Sequence, residues 1–435
     1  MLLDDLYQNL IPYQKAKRWI IGFSGGMDST VLLYLLIKLK EQQTLPPLSA
    51  IHIHHGLQAA ADDWPNHCQS ICNQLNIPLT TIKVTISKQA SIEQAARNAR
   101  YEVFANQLQE GDILLTAQHK NDQAETLLFR LFRGAGVRGL SAMPIQRFLG
   151  KGCLVRPLLN TPYSTLKHYA ENNLLNWIED PSNQDIHYAR NYLRHEVLPT
   201  ITTYWPQAIT NIVQTSEHMQ EAQKLLNELA QQDLLLAQTS PLYHWLNVPN
   251  LFFGPLKKLS TERQKNALSF WLSSYTLQPS TQHWHGWFNL INAKETATPI
   301  WQLHDAEIHR SNDRIWLLKK SWLAKPSSTQ LLIKTSKKTY LLNNGWVNLS
   351  GKLTTNALYV TYRQGGESIF LKNRGNRDLK KLFNEEAIPN FLRQRLPLLI
   401  DQQGKLVAVA NFPQWFNGHY SKDFTFEWTP PCINS

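Results

Sequence analysis

The sequence predicts a multidomain α/β protein: an N-terminal doubly wound parallel-sheet domain, then a mainly helical domain, then a small α+β C-terminal domain. Three observations predict this organisation. A chain of 435 residues is longer than one hydrophobic core usually serves. In the first half, apolar strand-like runs alternate with helix-like segments, which is typical of a parallel sheet covered by helices. Beyond about Pro199 this alternation ends, and β-like runs return only after a linker-like stretch at 322–328.

Each domain is predicted from particular segments. The first carries strand-like runs at 19–23, 48–54, 79–84 and 112–117. The second carries helix-like segments at 208–238, 256–277 and 283–292. The third has β-like runs at 331–334, 358–362 and 406–410, with a helix candidate near 378–386. The predicted domains therefore span 1–211, 212–325 and 326–435.

Charge and targeting signals narrow the function classes. The net charge of +11 favours a polyanionic partner, although solubility alone can explain a basic balance. Four cysteines are too few for a disulfide framework in so long a chain, which favours a reducing compartment. The N-terminus MLLDDLYQNL has acids where a signal peptide needs bases, and the longest apolar run, 31–37, is too short to span a bilayer. We expect a cytoplasmic protein with no membrane partner. The oligomeric state is left open, a homodimer included.

The segment IIGFSGGMDSTVLLYLL, at 20–36, predicts a strand, a glycine-containing loop and a helix that begins near Asp28 or Ser29. In open α/β sheets, ligands bind where a strand ends and the next helix begins. The glycines let the backbone approach phosphate oxygens, and the N–H groups of the helix start attract an anion. Asp28 is predicted to be catalytic and is a candidate ligand for Mg²⁺, which would offset phosphate charge. The residues predicted to bind the nucleotide are Ser24, Gly25, Gly26, Met27, Asp28 and Ser29.

The same loop has a simpler interpretation as a tight turn capped by Ser and Asp. The Walker pattern GxxxxGK[ST] is absent, which disfavours γ-phosphoryl transfer. SGGMDS instead resembles the PP-loop of the ATP pyrophosphatases. That resemblance implies that the loop holds diphosphate as a leaving group while AMP is transferred to an oxygen of the substrate.

Further stretches occur in order along the chain: HIHHGLQAAADDW (52–64), IEQAARNARYEVF (92–104), LTAQHKNDQAETLLFRLFRGAGVRGLSAM (115–143), RPLL (156–159) and WIEDPSNQDIHYARNYLRHEVLP (177–199). With SGGMDS they resemble tRNA(Ile)-lysidine synthetases. A stretch that begins with YRQGGESIF at 362 extends the resemblance into the C-terminal region, whereas 212–350 carries no motif that aligns.

The resemblance implies an ATP-dependent ligase that acts on the wobble cytidine in the CAU anticodon of tRNA(Ile). ATP adenylates the carbon 2 oxygen of the cytosine, which becomes a good leaving group. The ε-amine of free L-lysine then attacks carbon 2, and lysidine, AMP and diphosphate result. The codon read changes from AUG to AUA, and the amino-acid identity of the tRNA changes from Met to Ile.

Asp122 and Glu125 are predicted as catalytic and substrate-binding residues. They stand three apart at a predicted helix start and so share a face, where two carboxylates can bind a lysine ammonium or accept a proton. Acids that complement the helix dipole are the alternative. The resemblance associates these positions with lysine recognition and catalysis.

Four arginines complete the predicted site. Arg97, assigned to catalysis, and Arg100, assigned to substrate binding, stand three apart and suit phosphate binding. Arg190 and Arg194 stand four apart and are predicted to bind RNA phosphate or active-site groups. Solvated helix faces are the alternative for such charged pairs.

The histidines His52, His54, His55 and His119 are interpreted as structural or nucleotide-adjacent rather than as metal ligands, because neighbours on a strand point to opposite faces and no acid stands at zinc spacing. In the C-terminal region, a basic surface interleaved with aromatic residues is predicted to bind tRNA, the aromatics themselves being more typical of a core. Its basic residues are Lys372, Arg374, Arg377, Lys380, Lys381, Arg393 and Arg395.

Three other functions are weighed. A thiolase acting on tRNA shares the loop but usually relies on a CxxC pair or a catalytic cysteine, whereas Cys68 and Cys72 form CxxxC and are expected to be buried apolar thiols. An amide ligase similar to NAD synthetase also shares the loop, but it would not need a basic C-terminal region. A non-catalytic RNA-binding protein would not need an intact SGGMDS.

Overall fold

The computed structural model describes residues 2–54, 56, 62–85, 92–294, 297–327, 330–334, 337–351, 357–420 and 424–432. The chain divides into two compact units, Met1–Lys224 and Leu225–Ser435. Over the described ranges, none of the helices has the length and apolar character that a membrane span requires.

The first unit contains one sheet and the helices that cover it. The strands are β1 (Arg18–Gly22), β2 (Leu48–His54), β3 (Leu79–Lys83), β4 (Asp112–Leu115), β5 (Gln146–Leu149) and β6 (Gly152–Val155). The helices are α1 (Leu2–Leu10), α2 (Met27–Gln42), α3 (Trp64–Gln74), α4 (Ile92–Gln107), α5 (Lys120–Leu131), α6 (Val137–Leu140), α7 (Tyr163–Asn172), α8 (Ala189–Tyr192) and α9 (Leu198–Tyr204). A π-helical turn, Leu193–Val197, joins α8 to α9, and α10 (Ala208–Ala237) contains the division between the units.

Residues of β1 alternate between two hydrophobic cores, which makes the sheet doubly wound. Trp19 and Ile21 face a core that includes much of α2, whereas Ile20 faces a second core that includes Ile51 and Phe104. Because successive strand residues point to opposite faces, an entirely apolar strand is stable only with helices on both sides. The run WII is therefore the local reason for a covered sheet.

The order of the strands predicts where a ligand would bind. The sheet runs β3-β2-β1-β4-β6-β5, parallel except for the pairing of β5 with β6. The chain leaves β1 toward β2 and β3 on one side, and β4 lies on the other side of β1. Strand order therefore reverses between β1 and β4, and the crevice beyond their carboxyl ends is where open α/β sheets bind ligands.

The second unit combines helices with antiparallel sheets. Its strands are β7 (Asn250–Phe252), β8 (Ile300–Gln302), β9 (Ala306–Ser311), β10 (Arg314–Lys319), β11 (Leu331–Ile333), β12 (Thr339–Tyr340), β13 (Trp346–Gly351), β14 (Leu358–Thr361), β15 (Ser368–Leu371), β16 (Gly375–Asp378), β17 (Leu398–Asp401), β18 (Leu406–Val409) and β19 (Phe424–Thr429). Its own helices are α11 (Phe253–Lys257), α12 (Thr261–Leu272), α13 (Trp284–Asn292), α14 (Leu379–Glu385) and α15 (Asn390–Arg393). The sheets run β7-β10-β9-β8, β11-β14-β17-β18, β12-β13-β19 and β15-β16.

The predicted fold class is confirmed: a parallel-sheet domain is followed by a region rich in helices and by antiparallel β structure with short helices. Two details differ. The predicted helix at 256–277 is divided into α11 and α12, because Ser260 caps the start of α12 by accepting a hydrogen bond from the Arg263 N–H. The middle region also contains the four-stranded sheet β7-β10-β9-β8 beside its helices. The domain boundaries at 211 and 325 stay predictions.

Candidate active site

The SGGMDS loop leaves the carboxyl end of β1 and leads directly into α2, which begins at Met27. Gly25 has φ of +85°, and a Cβ there would lie 2.9 Å from the Sγ of Cys68 and 2.9 Å from Cδ1 of Ile178. Any side chain at position 25 would therefore meet both backbone strain and a collision. The carbonyl of Gly25 accepts a hydrogen bond from the Ile178 N–H at 2.9 Å, which ties the loop to the 177–199 stretch.

Hydroxyl groups hold the loop in shape. The Oγ atoms of Ser24 and Ser29 lie 3.0 Å apart, and the backbone N–H of Ser24 donates to the Ser29 Oγ at 3.2 Å. The Gly26 N–H in turn lies 3.3 Å from the Ser24 Oγ. Gly26 is the N-cap of α2 and has no side chain to bond the first N–H groups of the helix. This end of α2 therefore suits an anion.

The loop after β4 brings a second set of groups to the same crevice. His119 is the N-cap of α5. Its ring Nδ1 accepts a hydrogen bond from the backbone N–H of Asp122 at 3.4 Å, and its backbone N–H donates to the Asp122 Oδ2 at 3.1 Å. Because Nδ1 accepts, the other ring nitrogen carries the proton. That Nε2 lies 3.6 Å from the Asp28 Oδ2 and 3.5 Å from the Asp122 Oδ2. His119 thus connects the acid of the SGGMDS loop with the first acid of α5.

Asp122 and Glu125 form a quartet with Arg190 and Arg194. Arg194 donates from Nε to Glu125 Oε1 at 2.7 Å and from Nη2 to Glu125 Oε2 at 3.0 Å and to Asp122 Oδ1 at 3.0 Å. Arg190 donates from Nε to Glu125 Oε2 at 3.0 Å and from Nη2 to Asp122 Oδ1 at 3.3 Å. Glu125 is 1% exposed, so its charge is stabilised by these two guanidinium groups rather than by water.

The helix geometry sets the quartet. Asp122 and Glu125 share a face of α5 because they are three residues apart. Arg190 lies on α8 and Arg194 in the π-helical turn that follows it. Single π turns are frequent at functional sites, and this one contains a residue of the quartet.

Local charges shift several pKa values in the crevice. Burial opposes ionisation of Asp122, but His119, Arg190 and Arg194 outweigh it and lower the pKa of this carboxyl. Burial likewise opposes protonation of His119, and the carboxylates of Asp122 and Asp28 outweigh it and raise the pKa of the imidazole. Arg194 is held charged: burial lowers its pKa, but Glu125 and the two aspartates outweigh burial and raise it. The cations of the crevice therefore favour the ionised form of Asp122.

Two cavities meet at the loop. The smaller, of about 300 Å³, is lined by the ends of β1 and β2 and by Arg97, Arg100 and Tyr101 of α4. The larger, of about 720 Å³, is lined by His119, Glu125, Arg194 and residues of the 177–199 stretch. Ser24, Asp28, Ser29 and Asp180 line both cavities. The loop therefore separates two spaces that both open onto Asp28.

Tyr101 lies among arginines at the smaller cavity. The guanidinium carbons of Arg97 and Arg147 lie 5.0 Å and 4.7 Å from the centre of its ring. Burial raises the pKa of Tyr101, but Arg97, Arg156 and Arg147 outweigh burial and lower it. Apolar walls from Ile51, Ile53 and Phe104 combined with this positive charge suit a nucleotide that carries phosphates.

The structure brings together most of the predicted site. Asp28, Asp122, Glu125, Arg190 and Arg194 surround one crevice, and Arg97 and Arg100 line the smaller cavity with Asp122. Their assignment to catalysis, substrate binding or Mg²⁺ stays a prediction. Arg190 and Arg194 were predicted to bind RNA phosphate or active-site groups, and their pairing with these two particular acids was not foreseen.

Sequence reasoning missed two contributors to the crevice, Tyr101 and Tyr163. It interpreted a third, His119, only as structural or nucleotide-adjacent, although a position just before the acids of a predicted helix start is a typical N-cap position. Tyr101 and Tyr163 line the two cavities, and no local pattern in the sequence distinguishes them from core tyrosines.

His52 and Cys68 are buried beside the SGGMDS loop, and His52 also lines the smaller cavity. His52 is buried, and its Nδ1 lies 3.0 Å from the Phe23 carbonyl and 3.4 Å from the Sγ of Cys68. His55 lies outside the described residues. Among the residues that are described, no group of three or more histidines, cysteines or acids is arranged to hold a metal ion. Cys68 and Cys72 are fully buried, as predicted, and burial raises their thiol pKa values to about 12 and about 11.

The predicted C-terminal basic surface needs one correction. Lys372, Arg374, Lys380 and Lys381 are exposed. Arg395, by contrast, is 4% exposed, and its guanidinium donates to the carbonyls of four residues in two segments. It therefore stabilises the interior of the domain and does not belong to the basic surface. Those four carbonyls belong to Ser321, Trp322, Ala324 and Asn343. The aromatic members Phe383 and Phe391 pack within a hydrophobic core, as expected for them.

Similarity to known proteins extends along almost the whole chain. Family models match as a PP-loop domain over residues 2–201, a TilS substrate binding domain over 251–316 and a TilS substrate C-terminal domain over 358–419. The chain is 50% identical to a tRNA(Ile)-lysidine synthase of Pseudomonas fluorescens, covering 99% of this chain and 97% of that protein. It is 41% identical to one of Coxiella burnetii, with coverage of 94% and 92%.

Among solved structures, similarity extends to the U34-tRNA thiolase NcsA of Methanococcus maripaludis, with 19% identity, a TM-score of 0.42 and coverage of 50% of this chain and 78% of that one. The sequence relatives match at high identity along almost their whole length, and three family models cover successive parts of the chain. The chain belongs to the tRNA(Ile)-lysidine synthase family.

Proposed function

We propose that this chain ligates lysine to carbon 2 of the wobble cytidine in the CAU anticodon of tRNA(Ile), with ATP converted to AMP and diphosphate. The product lysidine changes the codon read from AUG to AUA. One observation carries the proposal: a PP-loop that lacks a lysine faces, across Asp28 and His119, the acidic pair Asp122 and Glu125. The loop suits cleavage between the α and β phosphates, and the acids suit a cationic second substrate.

In the first step, the smaller cavity holds ATP. The apolar walls of this cavity contact the adenosine. Arg97, Arg100 and the N-terminus of α2 bind the phosphates. The carbon 2 oxygen of the cytosine attacks the α-phosphorus, the bond to the β-phosphate oxygen breaks, and diphosphate leaves on the loop. Oriented N–H and guanidinium groups stabilise the charge that develops on the leaving group.

Mg²⁺ fits this step. Asp28 Oδ1 is buried and accepts no hydrogen bond from any described residue, so it is an oxygen available to a cation. Mg²⁺ typically takes one or two protein carboxylates and completes its shell with phosphate oxygens and water. Asp28 would therefore hold the ion, which would neutralise phosphate charge and polarise the reacting phosphate.

In the second step, the ε-amine of lysine attacks carbon 2, and the bond from carbon 2 to the AMP oxygen breaks. Asp122 and Glu125 bind the incoming ammonium, and its proton must be removed before attack. Asp122 or Glu125 can accept that proton, and the Nε2–H of His119, which faces Asp122 and Asp28, stabilises the two aspartates. Because Arg190 and Arg194 occupy both acids, lysine binding requires at least one guanidinium to move.

The exposed basic residues of the second unit are proposed to bind the body of the tRNA. Counterion release by clustered lysines and arginines favours such binding without reading sequence. A homodimer and a cytoplasmic location stay predictions. Size-exclusion chromatography with light scattering tests the first of these.

The test is incorporation of labelled lysine. The protein is incubated with ATP, Mg²⁺, labelled lysine and either tRNA(Ile) or tRNA(Met), both with CAU anticodons, and RNA is isolated. We expect label in tRNA(Ile) and little in tRNA(Met). Absence of label from both RNAs would exclude lysine transfer, and equal labelling would exclude selection between them.

A further inference from the structure

An aromatic side chain outside the groups assigned above lies in the larger cavity. Tyr163 is the first residue of α7 and is 40% exposed. It lines the cavity beside Asp28 and His119. The tRNA base that is modified must reach this same space, because its carbon 2 has to approach both the ATP phosphates and the lysine amine.

We propose that the ring of Tyr163 stacks on the target cytosine and holds it at the SGGMDS loop. This inference rests on the proposed function, since it concerns the nucleoside that the reaction consumes. Proteins that recognise single-stranded RNA commonly stack unpaired bases on aromatic rings, and such stacking tolerates any base because each has a π face.

The ring is held by two elements. The backbone N–H of Tyr163 donates to the Asn121 Oδ1 at 3.1 Å, which links the start of α7 to the start of α5. The ring lies 5.4 Å from the buried imidazole of His119, at an interplanar angle of 48°. One part of the ring therefore packs against the active-site histidine while the exposed part faces the cavity. A surface fixed in this way loses little conformational entropy when a base binds.

The neighbouring groups suit a stacked base. The cavity, of about 720 Å³, is large enough for a nucleotide. Carboxamides can bond the edge of a base whose face is stacked, and three of them line this cavity: Asn121, Asn183 and Gln184. Trp177 also lines it, but its ring packs against the hydrophobic core. Tyr163 is therefore the exposed tyrosine or tryptophan ring of this described lining that is available to a base.

Stacking and hydroxyl chemistry give different results on substitution. Tyr163→Phe keeps the π face and should retain kcat/KM for tRNA within about threefold, whereas Tyr163→Leu should lower it by roughly 10- to 100-fold. The KM for ATP should stay unchanged in both variants, because ATP occupies the other cavity. Tyr169→Leu, on the same helix and facing the core, is the control for general loss of a tyrosine from α7.

A binding experiment separates this inference from the proposed function. An anticodon stem-loop with fluorescent pyrrolocytidine at the wobble position is bound to each variant without ATP or lysine. Stacking quenches this fluorophore, so the complex with Tyr163→Leu should be brighter than those with the unaltered protein and with Tyr169→Leu. Equal brightness would overturn the stacking, as would a Tyr163→Phe variant as impaired in turnover as Tyr163→Leu. Failure of the unaltered protein to transfer lysine would count against the proposed function alone.

Discussion

Arg194 binds Glu125 through two parallel hydrogen bonds, with its Nε 2.7 Å from Oε1 and its Nη2 3.0 Å from Oε2. The geometry is that of a bidentate guanidinium–carboxylate pair, and the carboxylate is almost fully buried. The acids proposed to bind lysine are thus already neutralised by the protein itself. A free acid pair would be costly to bury, so the arginines stabilise the site until a cationic substrate arrives.

Asp28→Ala should stop adenylation. The substitution removes the carboxylate that is proposed to hold Mg²⁺ and that faces His119. We expect tRNA-dependent diphosphate release to fall by about 100-fold or more, in line with losing a charge-stabilising group. Asp63→Ala is the matched control, since Asp63 is exposed and lines neither cavity. Diphosphate release at the unaltered rate in Asp28→Ala would contradict the assignment.

Asp122→Asn should separate the two half-reactions. The amide keeps the size of the side chain but loses the charge that binds an ammonium and interacts with His119. Lysine incorporation should fall by roughly 100-fold, with diphosphate release reduced much less. Both are measured on the same samples, by labelled lysine in RNA and by diphosphate. An equal fall in both would show that Asp122 does not act mainly in the lysine step.

Acid should remove the stabilising effect of Asp122. Its pKa in the folded protein lies below the ordinary value of 3.8, because His119, Arg190 and Arg194 outweigh burial. A lowered carboxyl pKa stabilises the fold above the unfolded value and stops doing so as pH falls through the folded value. Because it breaks ion pairs with the partly exposed Arg190 and Arg194, Asp122→Asn should lower the free energy of unfolding by about 1 to 3 kcal/mol near pH 7. Denaturant titrations should show this difference narrowing below pH 4; a difference that is constant with pH would contradict it.

Thiol alkylation should spare the cysteines beneath the loop. Burial raises the pKa of Cys68 to about 12 and that of Cys72 to about 11, so neither forms much thiolate at pH 8. Cys432 is exposed and should react first with iodoacetamide, as followed by mass spectrometry. Lysine transfer should survive that reaction. Denatured protein, in which all four cysteines react, is the control. Reaction of Cys68 as fast as that of Cys432, with loss of activity, would revive a cysteine-dependent function such as thiolation.

Charge reversal on α14 should weaken tRNA binding without affecting ATP. Lys380 and Lys381 are exposed on this helix, and the double change to Glu should raise the KM for tRNA. The slope of log affinity against log salt should fall by about 1 to 2, because up to two phosphate contacts are lost. The same change at Lys40 and Lys151, exposed on the first unit, is the control. An unchanged salt slope would argue against tRNA contact by α14.

Features that depend only on neighbouring residues could be predicted from the sequence. The strand, glycine loop and helix of 18–42 follow from local pattern, and the spacing of Asp122 and Glu125 places them on one helix face. The pairing of these acids with Arg190 and Arg194 could not be predicted in this way. The pairing joins segments 65 to 72 residues apart. The sequence pattern of two arginines is the same whether they bind a ligand or acidic side chains of the protein.

The other differences each have a cause that a local sequence pattern does not show. Arg395 belongs to a basic stretch by composition, but its carbonyl partners lie 52 to 74 residues earlier in the chain. The division between α11 and α12 depends on a single capping serine within an otherwise helical pattern. The antiparallel sheet of the middle region is assembled from short strands that are distant in sequence, so none of them is conspicuous alone.

The wall that the two cavities share has a consequence for the fate of the activated RNA. Ser24, Asp28, Ser29 and Asp180 border both spaces. If ATP enters from one side and the cytosine and lysine from the other, the adenylated base is consumed where it forms. Diphosphate can leave while the base stays in place, and the lysine amine can reach carbon 2 without movement of the RNA to a second site. The adenylated cytosine, which water would hydrolyse, therefore exists only between two reactions at one position. It is not released into solution, so the protein needs no separate element to protect it there.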